Sequence, residues 1–325
     1  MKSGQENMED IDLRPLRIAE KKILAEGIWL FELAAPGGGE LPPFEAGAHV
    51  TVETPSGKRR QYSLCNDPAE RHRYVLGIKA ERPGRGGSSS LVDETSEDDE
   101  IMVSAPDNSF PLREAPDHIF VAGGIGITPI MSMIRHLAAR GQTNYRLIYC
   151  TRDAASTAFL DDLSAPPFAE RVTIHHDGGD PNQAYDFWDL FEKAGKAHVW
   201  CCGPAPLMEE VRGVTGHWPQ SAIHFEDFAT DAGAARADDK PFTVRHAETG
   251  ETVEIPAGQT ILDTLRAAGH KTPSSCESGT CGTCKTVLVS GEADHRDMVL
   301  TDEEKQGHIM ICVSRALSDE LVLKW

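Results

Sequence analysis

The segment that decides the fold of the last part of the chain is the run Cys276-Glu277-Ser278-Gly279-Thr280-Cys281-Gly282-Thr283-Cys284. Four residues separate its first two cysteines, two separate the next pair, and Cys312 lies 28 positions beyond Cys284. The spacing C-x4-C-x2-C with a remote fourth cysteine is typical of plant-type [2Fe–2S] sites, in which four thiolates hold two irons. Glycines and small hydroxyl residues let the backbone bend closely around such a cluster. The predicted cluster ligands are Cys276, Cys281, Cys284 and Cys312.

Three other uses of these cysteines compete with the cluster. Disulfides would suit a secreted protein, but the first ten residues contain no apolar signal-peptide core. A structural zinc site ordinarily uses two C-x2-C pairs, and only one is present here. Four unrelated buried cysteines are the third alternative. The complete spacing favours the cluster over all three.

The composition limits the class of protein. A chain of 325 residues predicts two to three domains, and its 40% hydrophobic residues are ordinary for a globular protein. The formal net charge of −19 argues against a nucleic acid or an anionic membrane as partner, because both need a basic surface. No apolar stretch approaches the length of a membrane span. Eight cysteines in such a chain indicate a reducing, cytoplasmic location.

The first stretch, residues 1–115, alternates short apolar runs with turns and predicts a small antiparallel β-barrel. It contains the motif Arg60-Gln61-Tyr62-Ser63-Leu64, which suits a phosphate and a stacked aromatic ring but also fits an ordinary amphipathic strand. It also contains Gly84-Arg85-Gly86-Gly87-Ser88-Ser89-Ser90, which predicts an anion site at a helix start or else a surface loop. The two motifs together favour a phosphorylated aromatic cofactor.

The middle stretch, residues 116–228, changes to alternating strands and helices and predicts a doubly wound parallel sheet. The apolar run His118–Ala122 leads into Gly123-Gly124-Ile125-Gly126-Ile127-Thr128-Pro129, a strand, glycine turn and helix arrangement that suits a pyrophosphate. A ligand of such a sheet lies at the C-terminal ends of the strands, where Gly124, Thr128, Cys202 and Gly203 are expected. His175 and His176 are interpreted as structural residues.

Residues 229–240 are small, polar and aperiodic, which predicts an interdomain linker. The remaining residues, 241–325, are enough for a small domain organised by its cluster. Within them, Thr260 is expected to cap a helix that ends at Gly269.

In this order the parts resemble the phthalate dioxygenase reductase family, the flavin and iron–sulfur reductases of Rieske-type oxygenases, which include vanillate O-demethylase reductases. The likeness covers nearly the whole chain and is carried by the motifs Arg60-x-Tyr62-Ser63, Gly86-Gly87-Ser88, Gly123 to Pro129, Cys202-Gly203-Pro204, His224-Phe225-Glu226 and the four cysteines. The resemblance implies a ferredoxin-reductase-like barrel, a nucleotide-binding domain and a β-grasp ferredoxin domain.

The resemblance also implies roles for individual residues. The residues expected to bind FMN are Arg60, Tyr62, Ser63, Leu64, Gly86, Gly87 and Ser88, with Phe225 and Glu226 near the isoalloxazine ring. The residues expected to bind the nicotinamide nucleotide are Gly123, Gly124, Gly126, Thr128, Asp177, Cys202, Gly203 and Pro204. Asp177 follows the third strand of the parallel sheet, where a carboxylate would bond a ribose and disfavour the 2′-phosphate of NADPH. NADH is therefore the expected donor.

The three cofactors differ in how many electrons they exchange in one step. NADH gives two electrons as a hydride, a [2Fe–2S] cluster accepts one, and a flavin between them can do both. The predicted function is an NADH-dependent reductase that supplies the oxygenase component of a Rieske-type dioxygenase or demethylase, and it is expected to act as a monomer. The alternatives are a reductase for another one-electron acceptor, such as a heme protein, and a redox sensor.

Overall fold

The structure is a computed structural model that describes residues 12–82, 86–227, 239–274, 279, 282–297 and 299–325. Contacts divide the described residues into two units, residues 12–227 and residues 239–325. Among the described residues, no helix is both long enough and apolar enough to cross a membrane. Most of the predicted linker, together with Cys276 and Cys281, lies outside the described residues.

The first unit begins with an antiparallel sheet. Its elements are β1 (Leu13–Ala25), β2 (Ile28–Ala34), β3 (His49–Glu53), β4 (Arg59–Ser63), β5 (Tyr74–Lys79), α1 (Gly87–Glu94) and β6 (Glu100–Ser104). The strand order is β4-β3-β6-β1-β2-β5, and an antiparallel bridge between Leu64 and Leu76 joins its two ends. The sheet therefore closes on itself, and the predicted barrel is confirmed. Alternate residues such as Phe31, Val50 and Val103 fill the interior, as the two-residue repeat of a strand requires.

The second sheet of this unit is parallel throughout. Its elements are β7 (His118–Gly123), α2 (Ile127–Ala139), β8 (Tyr145–Thr151), α3 (Leu160–Leu163), β9 (Val172–His176), α4 (Trp188–Phe191), β10 (His198–Cys202), α5 (Ala205–Val214) and β11 (Ile223–Glu226). The strand order is β11-β10-β7-β8-β9. Helix α2 packs on the face that carries Phe120 and Trp200, and α5 packs on the face that carries Val121 and Cys201. Helices on both faces confirm the doubly wound fold.

The barrel and the parallel sheet meet where β5 faces the start of α2. A Cβ atom added to Gly77 of β5 would lie 2.7 Å from the Thr128 Cγ2 and 3.8 Å from the Ile125 Cδ1. Only glycine permits so close an approach, because any larger residue would push α2 away. The middle of β5 is thus fitted to the helix that follows the glycine turn.

The second unit is a mixed sheet crossed by one helix. Its elements are β12 (Phe242–His246), β13 (Thr252–Ile255), α6 (Ile261–Ala267), β14 (Lys285–Ser290), β15 (Ala293–Asp294), β16 (His308–Met310), β17 (Arg315–Ala316) and β18 (Glu320–Lys324). The order of its main sheet is β13-β12-β18-β14-β16, with β12 and β18 parallel and the other pairs antiparallel. The hydroxyl of Thr260 caps α6 by accepting from the Asp263 N–H. This arrangement is the predicted β-grasp fold.

The segment that leads into β12 is fixed by buried charges. The Asp239 carboxylate lies 2.6 Å from Arg296 Nη2 and 3.6 Å from Arg315 Nε, and all three side chains are at least 94% buried. Arg315 also donates to the Lys240 carbonyl at 3.0 Å. Asp239 and Lys240 were predicted as the end of the linker, and both are bonded to the second unit.

Candidate functional site

The edge of the barrel carries two polar atoms that suit a bound ligand. Within the part of the chain that the structure describes, the Tyr62 hydroxyl and the Ser63 hydroxyl are buried and accept or donate no hydrogen bond. Burial raises the pKa of Tyr62, so the phenol keeps its proton and can donate it. Because buried polar groups in native proteins are nearly always paired, these two hydroxyls fit a ligand with hydrogen-bonding edges. Leu64 is fully buried in the barrel, so only its backbone is available to such a ligand.

The start of α1 lies beside this edge. Gly86 precedes the helix with a φ of 84°, and among the described residues no side chain caps the helix and no acidic residue lies in its first turn. A Cβ atom added to Gly87 would lie 3.0 Å from the Arg60 Nε, so the arginine and the helix start are adjacent. The Ser88 hydroxyl accepts from the Glu81 N–H at 3.1 Å. These N–H groups and the guanidinium suit an anion such as a phosphate.

The parallel sheet has its switch point between β7 and β10, where the order of connection reverses, and ligands of such sheets bind there. Three glycines allow the two strand ends to touch. A Cβ atom on Gly126 would lie 2.2 Å from the Cys202 carbonyl oxygen, and one on Gly123 would lie 2.6 Å from Pro204 Cδ. A Cβ atom on Gly203 would lie 3.0 Å from Gly123 Cα. The glycine pattern is therefore a packing requirement at the predicted nucleotide site.

Gly124 and Thr128 flank this contact. Gly124 has a φ of 52°, which favours glycine, and a Cβ there would meet no atom of the described residues within 4 Å. The space on the side-chain side of Gly124 is thus open, while its carbonyl accepts from the Tyr149 hydroxyl at 3.0 Å. Thr128 is 2% exposed, and its hydroxyl donates to the Ile125 carbonyl at 3.0 Å. The Thr128 side chain therefore already serves the turn, and its predicted role in binding the nucleotide stays a prediction.

Cys202 and Glu226 are paired neighbours on β10 and β11. Cys202 is fully buried, Glu226 is partly exposed, and the Glu226 Oε2 is itself buried with no hydrogen-bond partner among the described residues. Burial raises the Glu226 pKa from 4.5 to about 8, and burial followed by the nearby Glu226 carboxyl raises that of the Cys202 thiol. Both groups are neutral at pH 7, which suits a site that receives an uncharged part of a cofactor.

The Phe225 side chain lies on the other face of the sheet from the Glu226 side chain. Its ring is packed with the α5 face of the sheet, and the Arg212 guanidinium lies 3.8 Å from the ring centroid. Neighbouring residues of a strand point to opposite faces, so the Phe225 and Glu226 side chains leave β11 on opposite sides of the sheet. The expected contact of Phe225 with the flavin stays a prediction. The structure places Glu226 with Cys202 and directs the Phe225 side chain away from them.

Asp177 follows β9 at the edge of the parallel sheet, as predicted. Its backbone N–H donates to the Thr151 carbonyl at 3.1 Å, and its Oδ1 accepts from the Gly179 N–H at 2.7 Å. The side chain is partly exposed at the C-terminal side of the sheet. This location suits a bond to a ribose.

Two of the four predicted cluster ligands lie in the described residues. Cys284 immediately precedes β14, and Cys312 follows β16. Their sulfur atoms are 2.9 Å apart, and both residues are at least 97% buried. A Cβ atom on Gly279 would lie 2.8 Å from Val313 Cγ2, so Gly279 itself packs tightly against the segment after Cys312. Two convergent thiols on this fold suit a shared metal centre.

Gly77 is a residue of the site that the sequence analysis missed. It contacts Thr128 from the barrel side and so joins the barrel to the turn that precedes α2. An isolated glycine inside a strand often marks a close approach of another backbone or helix. That signal was present in Tyr74-Val75-Leu76-Gly77-Ile78.

The arrangement defines a class of protein: a redox protein of the ferredoxin-reductase type that carries its own iron–sulfur unit. Two family models agree with the iron–sulfur unit and with the nucleotide-binding domain. A model described as a 2Fe-2S iron–sulfur cluster binding domain matches residues 244–317, and one described as an oxidoreductase NAD-binding domain matches residues 120–174.

Similar proteins identify the family. The chain is 57% identical over 317 residues to the phthalate dioxygenase reductase of Burkholderia cepacia, covering 97% of this chain and 98% of that protein. It is 50% identical over 323 residues to a phthalate 4,5-dioxygenase oxygenase reductase subunit of Pseudomonas putida, covering 99% of each. A solved phthalate dioxygenase reductase structure, described as a module for electron transfer from pyridine nucleotides to [2Fe–2S], superposes with a TM-score of 0.86 at 55% identity, covering 96% of this chain and 98% of that one.

The chain belongs to the phthalate dioxygenase reductase family. It is an NADH-dependent oxidoreductase whose cofactors are FMN and a [2Fe–2S] cluster, and its relatives are reductase components of multicomponent oxygenase systems. The predicted family, fold class, activity and cofactors are confirmed. The individual site residues stay predictions.

Proposed function

We propose that this chain passes electrons from NADH through FMN to its [2Fe–2S] cluster, and from there to the oxygenase component of a Rieske-type dioxygenase or demethylase. Two features of the first unit carry the proposal. The Tyr62 and Ser63 hydroxyls are buried without a hydrogen-bond partner among the described residues, and the same unit contains a switch point packed with glycines. The two hydroxyls suit the hydrogen-bonding edge of a flavin, and the switch point suits a nicotinamide nucleotide.

The barrel residues hold the flavin in this proposal. Tyr62 and Ser63 bond its ring system, and the Arg60 guanidinium together with the N–H groups of Gly87 and Ser88 receives its phosphate. Gly86, in its left-handed conformation, turns the chain so that these N–H groups lead the helix. When bound, the flavin accepts a hydride and releases electrons one at a time.

The switch-point residues hold the nicotinamide nucleotide. Gly123, Gly126 and Gly203 bring the ends of β7 and β10 together, and the open side of Gly124 faces the ligand. Neutral Glu226 and Cys202 exclude charge and water from the transfer site. Asp177 bonds the ribose of the adenosine half and repels the extra phosphate of NADPH.

The second unit holds the cluster through the thiolates of Cys276, Cys281, Cys284 and Cys312. We place the domain boundaries at residues 1–115 for the barrel, 116–228 for the nucleotide domain, 229–240 for the linker and 241–325 for the ferredoxin domain. A net charge of −19 suits a partner with a basic docking surface. We also propose that the protein is a cytoplasmic monomer that binds neither a membrane nor a nucleic acid.

An anaerobic titration of the purified protein with NADH tests the relay. Visible absorption follows the flavin, and low-temperature EPR follows the reduced cluster. We expect flavin bleaching and a rhombic EPR signal, with about three electrons taken up per chain by one FMN and one cluster. NADPH in place of NADH should reduce the flavin much more slowly.

Acceptor assays then separate the proposed partner from the alternatives. Steady NADH-driven reduction of cytochrome c argues against a sensor, which needs no turnover. Product formation with a purified Rieske oxygenase, dependent on this protein, supports the proposed partner. Flavin bleaching without the EPR signal would contradict the relay, because electrons would then have no route to the second unit.

A further inference from the structure

Lys21 of β1 reaches the C-terminal end of α1, the helix whose start lies at the proposed phosphate site. Its ammonium donates to the Val92 carbonyl at 2.6 Å and to the Thr95 carbonyl. These are carbonyls that the end of a helix leaves without partners in its own backbone. Lys21 therefore caps the C-terminal end of α1, while the N-terminal end lies at the proposed phosphate site.

Helix α1 needs a cation at this end. Its last turn contains no basic residue, and it ends with Asp93 and Glu94, whose charges repel the negative end of the helix dipole. Arg82 pairs with Asp93 at 3.0 Å on the exposed side. Lys21 is the cation that donates directly to the helix-end carbonyls among the described residues.

The path of the Lys21 side chain is fixed by the barrel. The Lys21 Nζ lies 5.4 Å from the centroid of the Trp29 ring and 5.5 Å from that of Phe31, on the neighbouring strand β2. Cation–π contacts of this length add to the hydrogen bonds and hold the ammonium in one place. The contact therefore links α1 to the rigid wall of the barrel and does not depend on a mobile surface group.

We propose that Lys21 is a positioning residue for the flavin phosphate: it holds the C-terminal end of α1 so that the N–H groups at the other end stay aimed at the phosphate. This inference rests on the proposed function, which places the FMN phosphate at Gly86, Gly87 and Ser88. Lys21 makes no contact with the flavin in this proposal. Its effect on binding passes through the helix.

Flavin binding by the full-length chain, depleted of flavin by dialysis, tests the proposal. FMN and riboflavin are titrated separately and followed by quenching of flavin fluorescence, because riboflavin lacks the phosphate but keeps the ring. Lys21→Met should raise the Kd for FMN about tenfold and change that for riboflavin less than about twofold. Lys21→Arg, which keeps the charge, should restore part of the FMN affinity.

Lys22→Met is the matched control. Lys22 is the next residue, is exposed, and pairs with Glu20 at 2.8 Å. Lys22→Met should alter neither the Kd for FMN nor the Kd for riboflavin. If Lys21→Met does not fold, Lys21→Gln serves in its place, with circular dichroism to verify the fold.

The ratio of the two Kd values decides the outcome. A wild-type preference for FMN that is lost in Lys21→Met supports the proposal. A preference that Lys21→Met keeps in full overturns it and leaves the proposed function standing. Equal binding of FMN and riboflavin by the wild-type chain would overturn both, because no phosphate site would then exist at α1.

Discussion

Glu226 offers a direct test of the electrostatics at the nucleotide site. The Oε2 of its carboxyl is buried on the strand beside Cys202, and burial raises the Glu226 pKa from 4.5 to about 8. Replacing it by glutamine keeps the shape and removes the proton equilibrium. We expect Glu226→Gln to stabilise the flavin-free protein at neutral pH, because the wild type must keep a proton that the unfolded chain would release.

The magnitude follows from linkage between protonation and folding. Below pH 4.5 both folded and unfolded chains carry the proton, so the carboxyl imposes no penalty. As the pH rises towards 8, the carboxyl ionises only in the unfolded chain, and each pH unit lowers the free energy of unfolding by about 1.4 kcal/mol. The penalty reaches about 3 kcal/mol at pH 7 and about 5 kcal/mol above pH 8. Glu226→Gln should recover amounts of this order.

Urea unfolding of the full-length, flavin-free chain at pH 5, 7 and 8 measures the difference, with tryptophan fluorescence as the signal. Glu209→Gln is the control, since Glu209 is exposed on α5 and should leave the free energy of unfolding nearly unchanged at every pH. A gap between Glu226→Gln and wild type that widens with pH supports the argument. The same gap at pH 5 and pH 8 would refute it, because Glu226 would then be ionised in the folded protein.

Three further changes test separate parts of the proposal. Gly126→Ala would bring a methyl carbon to 2.2 Å from the Cys202 carbonyl oxygen, so stopped-flow reduction of the flavin by NADH should slow at least about tenfold, whereas Gly213→Ala, which meets no described atom within 4 Å, should not slow it. Tyr62→Phe should raise the Kd for FMN about fivefold in a fluorescence titration yet leave the melting temperature of the flavin-free chain unchanged, because the hydroxyl has no protein partner among the described residues; an unchanged Kd would place the flavin elsewhere. Cys312→Ala should abolish the EPR signal and cytochrome c reduction while NADH still bleaches the flavin, and an unchanged signal would exclude Cys312 as a ligand.

The sequence was sufficient for the features that depend on local spacing. The cysteine pattern predicted the iron–sulfur unit, and the turn from Gly123 to Thr128 predicted the switch point, because both are short motifs with a fixed geometry. Phe225 shows what a motif alone leaves open. The motif assigns Phe225 and Glu226 together to the flavin, the two-residue repeat of a strand places their side chains on opposite faces of the sheet, and their contacts with the flavin stay predictions.

Other features depend on contacts between residues far apart in the chain. Lys21 and the end of α1 are separated by about 70 residues, and nothing near Lys21 in the sequence indicates that its ammonium serves a helix. The raised pKa of Glu226 likewise follows from burial at its carboxyl, which only the folded packing reveals. The contact of Gly77 with Thr128 is an intermediate case, because the glycine is visible in the strand but its partner is not.

The buried position of Asp239 matters for dividing this protein into parts. A gene fragment meant to yield the iron–sulfur unit alone would naturally be cut at residue 241, where β12 is about to begin. That cut removes the carboxylate that lies between the guanidinium groups of Arg296 and Arg315, each at least 94% buried. Asp294 still pairs with Arg296 at 2.6 Å, so the cut mainly removes the carboxylate beside Arg315, and the loss should be smaller than the about 3–5 kcal/mol of an isolated buried pair. A fragment that starts a few residues before Asp239 keeps the pair and should yield the more stable miniature ferredoxin.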